Sequence, residues 1–191
     1  MKYISVFCGS SSGAEKIFTE KATVLGKAIA RKGYGVVYGG AHVGLMGAVA
    51  NGALSEKGEV IGVLPRFLQK KELEHKSLSK IYIVNTMHER KAMMNELCDA
   101  VIALPGGYGT MEELFEMLTW GQLALHKKPI ALLNVEGFYD PLVALSEKMI
   151  EKGFLKEECR NLLIVDDDIE KLLLKMENYV PPKNDKWFET K

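Results

Sequence analysis

Apolar residues along the chain form two kinds of pattern. Short unbroken apolar runs, without the alternation of a half-exposed strand, predict strands of a sheet covered on both faces. The longer stretches between them, with apolar positions at helical spacing, predict helices. The predicted strands are Tyr3–Cys8, Gly35–Tyr38, Val60–Leu64, Ile81–Val84, Ala100–Leu104, Ile130–Leu133 and Leu162–Val165. The predicted helices are Glu15–Lys32, Gly44–Lys57, Met87–Cys98, Met111–His126, Tyr139–Lys152 and Ile169–Asn178.

This alternation of strands and helices is typical of one α/β domain. We expect a Rossmann-like, doubly wound and mostly parallel sheet of about seven strands, with helices on both faces. Residues 1–180 are assigned to this single domain and residues 181–191 to a short C-terminal tail. Pro181 and Pro182 end the last helix, and Trp187 and Phe188 in the tail are expected to pack on the domain.

The composition excludes several classes of partner. Lys and Arg together number 25, as do Asp and Glu, so the formal net charge is zero and no basic field attracts nucleic acid or an anionic membrane. Three cysteines without a C-x-x-C pair argue against a disulfide framework and suit a reducing compartment. No apolar run has the length of a signal-peptide core or a membrane span. We therefore expect a cytoplasmic protein. We expect no metal site, because the histidines lack the spacing of metal ligands.

Three glycine-rich turns follow predicted strands, namely "CGSSSG" from residue 8, "YGGAHVGLMG" from residue 38 and "PGGYGT" from residue 105. The carboxyl ends of parallel strands meet at one edge of a sheet, where ligands of such folds bind. We therefore expect Ser10 and Gly40 to contact a ligand. The turns match neither common nucleotide motif, because Leu45 replaces the lysine of a phosphate-binding loop and the dinucleotide fingerprint is missing.

The third turn continues as "LPGGYGTMEE", and its glycines have two explanations. Gly107 and Gly109 would expose backbone amides before a helix that begins near Thr110, which would create an anion site. Alternatively, Thr110-x-x-Glu113 is a capping box, in which Thr110 is the N-cap and Glu113 bonds back to its amide. Both explanations remain open from the residues alone.

The segment "NTMHERK", residues 85 to 91, has the same ambiguity. Thr86-x-x-Glu89 is a second possible capping box, which places Arg90 and Lys91 just beyond the first helical turn. Cations are unfavourable near the positive end of a helix, so the pair would suit an arriving anion. The alternative is a solvated basic face.

Together these segments resemble the LONELY GUY (LOG) family, formerly often labelled lysine decarboxylase-like. The family hallmark P-G-G-x-G-T-x-x-E is matched in full from Pro105 to Glu113. Its second hallmark, an arginine-lysine pair shortly after a methionine, is matched by Met87, Arg90 and Lys91. Further similar segments are "VYGGAHVGLMG", "GVLP" and "LNVEGFYDPL", so the resemblance extends from the first strand to the last helix.

The resemblance implies a nucleotide-binding domain that hydrolyses the N-glycosidic bond of nucleoside 5′-monophosphates, such as cytokinin riboside monophosphates or AMP, without a cofactor. It also implies a homodimer with the active site near the subunit interface. The residues that it assigns are Arg90 and Glu113 as the catalytic pair, Gly107, Gly109 and Thr110 as the phosphate site, and Lys91, Glu72 and Thr119 along the substrate site.

The chemistry of the residues agrees with this hydrolysis but leaves a gap. A carboxylate such as Glu113 stabilises an oxocarbenium-like transition state and activates water. No second carboxylate is an obvious acid for the leaving base, because Glu112 and Glu113 point to different faces of a helix. Two other functions remain open, a non-catalytic nucleotide or cofactor carrier and a pyridoxal phosphate-dependent decarboxylase.

Overall fold

The computed structural model describes residues 1–69 and 74–182. Its strands are β1 (Tyr3–Phe7), β2 (Gly35–Tyr38), β3 (Val60–Pro65), β4 (Lys80–Val84), β5 (Ala100–Ala103), β6 (Ile130–Leu133) and β7 (Leu163–Asp166). Its helices are α1 (Lys16–Arg31), α2 (Gly44–Ser55), α3 (Arg66–Gln69), α4 (Met87–Leu97), α5 (Tyr108–Gln122), α6 (Asp140–Glu151) and α7 (Ile169–Glu177). Short 3₁₀ turns lie at Val135–Gly137 and Glu157–Leu162.

The seven strands form one sheet in the order β4-β3-β2-β1-β5-β6-β7, and every neighbouring pair is parallel. The predicted α/β fold is therefore confirmed. Two details differ from the prediction. Helix α5 runs from Tyr108 to Gln122, so it begins three residues and ends four residues earlier than expected, and α3 was not predicted. Glu72 and the tail residues Trp187 and Phe188 lie outside the described residues.

Successive residues of each strand point to opposite faces of the sheet, which explains why the strands are apolar throughout. On β1, Val6 faces a core formed with α1, α2 and α7. The next residue, Phe7, faces a second core formed with α4, α5 and Tyr139. Both faces are thus covered by helices, as the unbroken apolar runs predicted.

The chain changes direction across the sheet between β1 and β5. The strands β2 to β4 lie on one side of β1, and β5 to β7 lie on the other. In such sheets a crevice opens beyond the carboxyl ends of the two central strands. Here the two turns that follow those strands touch, since the amide of Gly9 donates to the carbonyl of Pro105 at 3.1 Å. Across the described residues, no helix combines the length and apolarity needed to cross a membrane.

Candidate active site

A cavity of about 360 Å³ lies at this crevice. All three glycine-rich turns line it, as expected, together with groups from α4 and α5. Its lining residues are Val6, Cys8, Gly9, Ser10, Gly39, Ala41, Val43, Met46, Leu68, Arg90, Gly107, Tyr108, Gly109, Thr110 and Glu113. The walls are apolar on the side of the second turn, whereas Arg90 and Glu113 contribute opposite charges.

The first turn of α5 is open to this cavity. Gly107 is the N-cap residue, and no side chain bonds to the helix start. The amides of Tyr108, Gly109 and Thr110 therefore have no acceptor within the helix, and the positive end of the helix dipole lies beside them. Thr110 is the third residue of the helix, so the capping box predicted at Thr110-x-x-Glu113 is wrong.

The three glycines of this turn differ in what requires them. A Cβ on Gly106 would lie 2.1 Å from Oγ1 of Thr110 and 2.8 Å from the amide nitrogen of Gly9, so the packing of the turn excludes a side chain. A Cβ on Gly107 or Gly109 would meet no atom within 4 Å, and neither residue has a positive φ. The fold does not require glycine at Gly107 or Gly109. Their lack of side chains leaves space in the cavity beside the open amides.

Arg90 lies inside the domain with 9% of its surface exposed. Its Nε donates to the carbonyl of Val63 at 3.2 Å, and its Nη1 lies 3.5 Å from Oε1 of Glu113. The guanidinium also fills the space over Gly39, where a Cβ would lie 1.8 Å from Nη2. The alternative of a solvated basic face is therefore wrong for Arg90.

Glu113 has 8% of its surface exposed and lines the cavity. Burial raises the pKa of its carboxyl, while the neighbouring Arg90 lowers it. Cys8 lies nearby, and burial together with the charge of Glu113 raises the pKa of its thiol, which keeps it neutral. Arg90 is thus the group that favours an ionised carboxylate in an otherwise desolvated position.

Lys91, the neighbour of Arg90, is also buried, with 8% of its surface exposed. Its ammonium forms ion pairs with Glu112 and with Glu116, the latter at 2.8 Å. Burial lowers the pKa of Lys91, but the two carboxylates raise it by more, so it remains charged. Lys91 is absent from the described residues that line the cavity of about 360 Å³.

The other predicted site residues are distributed unevenly. Ser10 lines the cavity. Gly40 does not, and instead adopts a φ of 77° while its carbonyl accepts the amide of His75 at 3.0 Å. Thr119 donates to the carbonyl of Phe115 at 2.7 Å and lines a separate, mainly apolar cavity of about 380 Å³ between α5 and α6.

Several lining residues were not predicted, and Gly39 is the most informative of them. The motif "YGG" pointed to this turn, but only the packed Arg90 guanidinium shows that its first glycine is the one required. Met46 and Leu68 form apolar walls that no short motif indicates. Tyr108, the variable position of the hallmark, stands at the rim with 95% of its surface exposed.

The start of α4 contains the other predicted cap. Thr86 is the N-cap, and its Oγ1 accepts the amide of Glu89 at 3.1 Å. Glu89 reaches back to the amide of Asn85 at 2.8 Å, one residue before the N-cap. The predicted cap is confirmed at Thr86, and it fixes the helix that presents Arg90 and Lys91.

A second buried contact supports the turn of the cavity. The hydroxyl of Tyr139 donates to the carbonyl of Leu104 at 2.6 Å, immediately before Pro105. Tyr139 has 1% of its surface exposed, and Asn134 accepts its amide at 2.7 Å. Within the described residues, no group of three or more His, Cys, Asp or Glu side chains is arranged to hold a metal ion.

The doubly wound sheet, the open helix start and the buried arginine-glutamate pair define a Rossmann-like α/β protein whose central crevice contains a free helix N-terminus. A family model described as "Possible lysine decarboxylase" matches residues 46–176 of this chain. The chain belongs to this family, which is the LOG family.

Similar proteins agree with this assignment. The chain is 49% identical over 176 residues to a probable cytokinin riboside 5′-monophosphate phosphoribohydrolase, LOGL1, of Oryza sativa subsp. japonica, covering 92% of this chain and 79% of that protein. It is 44% identical over 178 residues to the cytokinin riboside 5′-monophosphate phosphoribohydrolase LOG of the same plant, covering 93% and 74%. A solved molybdenum cofactor binding protein from Rippkaea orientalis has a TM-score of 0.70 at 22% identity, covering 93% of this chain and 96% of that chain. This last likeness shows the fold alone.

Proposed function

We propose that this protein is a phosphoribohydrolase that cleaves the N-glycosidic bond of nucleoside 5′-monophosphates, releasing the free base and ribose 5-phosphate. AMP and cytokinin riboside monophosphates are the proposed substrates, in line with the names of its relatives. The observation on which the proposal depends is the buried pair of Arg90 and Glu113 beneath the open start of α5. The carboxylate of Glu113 suits the sugar, and the open start of α5 suits the phosphate.

The 5′-phosphate would bind at the open amides of Tyr108, Gly109 and Thr110, because a helix N-terminus with free N–H groups favours a dianion. Gly107 and Gly109 leave the space that the phosphate oxygens need. Glu113 is five residues after Tyr108 on the same helix, so a bound phosphate and this carboxylate are held by one rigid element. The ribose would then lie over Glu113.

Glu113 would act as the catalytic carboxylate. The oxygen of a water molecule bonds to the anomeric carbon while the bond to the base nitrogen breaks, and its electron pair stays on the base. Glu113 stabilises the positive charge of the sugar and takes one proton from the attacking water. The departing base takes up one proton from solvent, and Glu113 releases its proton to solvent, which restores the carboxylate. Burial raises the pKa of Glu113, and Arg90 opposes that rise by favouring the ionised carboxylate, which it also orients for this step.

The two alternative functions make different demands on the site. A pyridoxal phosphate-dependent decarboxylase needs a lysine amine free to form an imine. Lys91, the lysine of the second family hallmark, lines a cleft with Glu113 and is held as an ammonium by two carboxylates, which argues against that role. A nucleotide carrier would use the same open helix start without turnover. No contact of the described residues favours it over hydrolysis.

We further propose a cytoplasmic homodimer with the active site near the subunit interface, as the family resemblance implies. Tyr108 and Phe115 are seven residues apart on α5, so they share a helix face, and both are exposed. Phe154, which lines the adjacent apolar cavity with Thr119, has 83% of its surface exposed. A second copy on this face would cover these side chains. Light scattering tests the dimer, and a monomer at micromolar concentration would contradict it.

A panel of nucleoside monophosphates, each paired with its unphosphorylated nucleoside, tests the proposed reaction. Chromatography should detect free adenine from AMP and far less from adenosine, because adenosine lacks the group that the amides bind. Tight AMP binding without adenine release would instead indicate a carrier. Equal cleavage of AMP and adenosine would overturn the phosphate site.

A further inference from the structure

A cluster of charged side chains joins α4 to α5 beside the catalytic pair. We propose that Lys91 is a positioning residue, whose ion pairs with Glu112 and Glu116 align Arg90 with Glu113, and that it does not bind the nucleotide. This inference rests on the proposed function, and it differs from the substrate-lining role that the family resemblance implies for Lys91.

The location of Lys91 supports this role. Its side chain is 7% exposed and borders a small cleft formed with Phe7, Glu113, Glu116 and Met117. Glu113 lines both this cleft and the larger cavity, whereas Lys91 lines only the cleft among the described residues. An ammonium has three donors, and Glu112 and Glu116 already engage it. A nucleotide in the larger cavity would reach Glu113 without meeting Lys91.

The spacing of the partners explains how Lys91 acts on the catalytic pair. Glu112 and Glu116 are four residues apart on α5, so they share one face, and Glu113 follows Glu112 directly. On α4, Arg90 is likewise directly next to Lys91 in the sequence. An ion pair at Lys91 therefore fixes the rotation and the height of α5 relative to α4. That relation in turn sets the distance between Arg90 and Glu113.

The catalytic pair needs such a support. Arg90 is anchored to β3 through the carbonyl of Val63, so its position is set from the sheet. Glu113 contacts Arg90 at 3.5 Å, an ion-pair separation longer than a charge-assisted hydrogen bond. Two ion pairs hold Lys91 to Glu112 and Glu116, which lie on one face of α5. The pair with Glu116 is mostly buried on both sides. These ion pairs therefore link α4 and α5 more closely than the contact between Arg90 and Glu113 does.

The same cluster affects the charge of Glu113. The groups that face Glu113 are Arg90 and Lys91 from α4, Glu112 and Glu116 from α5, and the neutral Cys8 beyond β1. Arg90 and Lys91 lower its pKa, whereas Glu112 and Glu116 raise it. Removing Lys91 leaves two carboxylates unneutralised and raises the pKa of Glu113. Removing both of those carboxylates lowers it.

A double-mutant cycle separates positioning from substrate binding. The three variants are Lys91→Met, the pair Glu112→Gln with Glu116→Gln, and the combination of all three substitutions. If Lys91 acts through its ion pairs, kcat with AMP falls about 10- to 100-fold in Lys91→Met, and the combined variant is no slower. KM for AMP stays unchanged throughout. Lys32→Met, which removes a distant ion pair with Glu177, is the matched control and should leave kcat unchanged.

The pH dependence of kcat is a second test, because a merely structural role of Lys91 would not shift the pH profile. The acidic limb should shift to higher pH in Lys91→Met and to lower pH in the double glutamine variant. Thermal unfolding of each variant shows that the compared proteins are folded. If KM rises while kcat and the acidic limb stay at the wild-type values, Lys91 binds the substrate and the inference is overturned.

Binding of AMP in a Glu113→Gln background separates this inference from the proposed function, because it does not require turnover. Calorimetry should give the same affinity with and without Lys91→Met. A tenfold or larger loss of affinity would overturn the positioning role even if AMP is hydrolysed. Failure of the wild-type protein to release base from any nucleoside monophosphate would overturn the proposed function, whatever the affinities are.

Discussion

The starts of α4 and α5 share one sequence pattern and have opposite structures. Both contain Thr-x-x-Glu, at Thr86 to Glu89 and at Thr110 to Glu113. At α4 the threonine is the N-cap and the glutamate satisfies a backbone amide outside the helix. At α5 the helix has already begun at Tyr108, the threonine is inside it, and the glutamate pairs with Arg90.

The difference shows what the extra glycines of α5 provide. A capped start has its amides occupied by its own side chains, so it is closed to ligands. An open start leaves those amides free and costs stability unless an anion binds there. The protein thus has one helix start whose amides are engaged by its own side chains and one whose amides are free beside the cavity.

The largest test compares the two glutamates. Glu113→Gln removes the proposed catalytic carboxylate and should lower kcat by ~10²–10⁴, or about 3–5 kcal/mol of transition-state stabilisation. Glu89→Gln is the matched variant, since its amide oxygen still accepts the Asn85 amide. It should keep wild-type turnover. Steady-state assays with AMP measure both, and normal turnover in Glu113→Gln would overturn the assignment of Glu113.

The second test compares two glycines of the open turn. Gly109→Ala adds a methyl group in open space, so the fold tolerates it, but the group would occupy the proposed phosphate site. Losing one charge-assisted hydrogen bond costs ~1.5–3 kcal/mol, which raises KM for AMP about tenfold or more. Gly106→Ala instead collides with Thr110 and Gly9 and should reduce stability by ~1–3 kcal/mol. An unchanged KM in Gly109→Ala would argue against phosphate binding there.

The third test removes the cap at α4. Thr86→Ala should reduce stability by ~1 kcal/mol, which lowers Tm by about 2–4 °C for a chain of this size. Thr86→Ser keeps the hydroxyl and should restore the wild-type Tm. KM for AMP should be unaffected by either substitution, because the cap lies outside the cavity. A tenfold change in KM with an unchanged Tm would contradict the division between the two helix starts.

The smallest expected effect is on the pH dependence of stability. Burial raises the pKa of Glu113 above its ordinary value of 4.5, so folding favours the protonated carboxyl. This contribution is complete below the ordinary pKa and is lost as pH rises through the folded-state pKa. Glu113→Gln should therefore raise Tm at neutral pH, with a gain that shrinks below pH 4.5. A gain that is constant with pH would mean that Glu113 is not a strained, buried carboxylate.

The sequence predicted the fold well because its apolar runs are local and unambiguous. Each end of the seven strands was placed within one residue of the observed bound, and the three glycine-rich turns met at one edge because parallel strands require it. The start of α5 was misplaced for a physical reason. A Thr-x-x-Glu pattern predicts hydrogen bonds within one turn of a helix. It does not show whether the preceding glycines already belong to the helix.

The site was predicted in its types of residue but not in its arrangement. Arg90 and Glu113 were assigned together through the family hallmark, and they do meet. Lys91 and Thr119 were assigned with them, yet their side chains point into a small cleft and a separate cavity. Neighbours in sequence on a helix face different directions, so the partners of Lys91 depend on how α4 packs on α5.

The amino-acid sequence alone determined the order of strands and helices, the covered sheet and the edge where the glycine-rich turns meet, because those features follow from periodicity and from the geometry of parallel strands. The tertiary structure decided which helix start stays open and which charges lie against Glu113. Those outcomes depend on contacts between residues distant in the chain, such as the guanidinium of Arg90 over Gly39 and the hydroxyl of Tyr139 on Leu104.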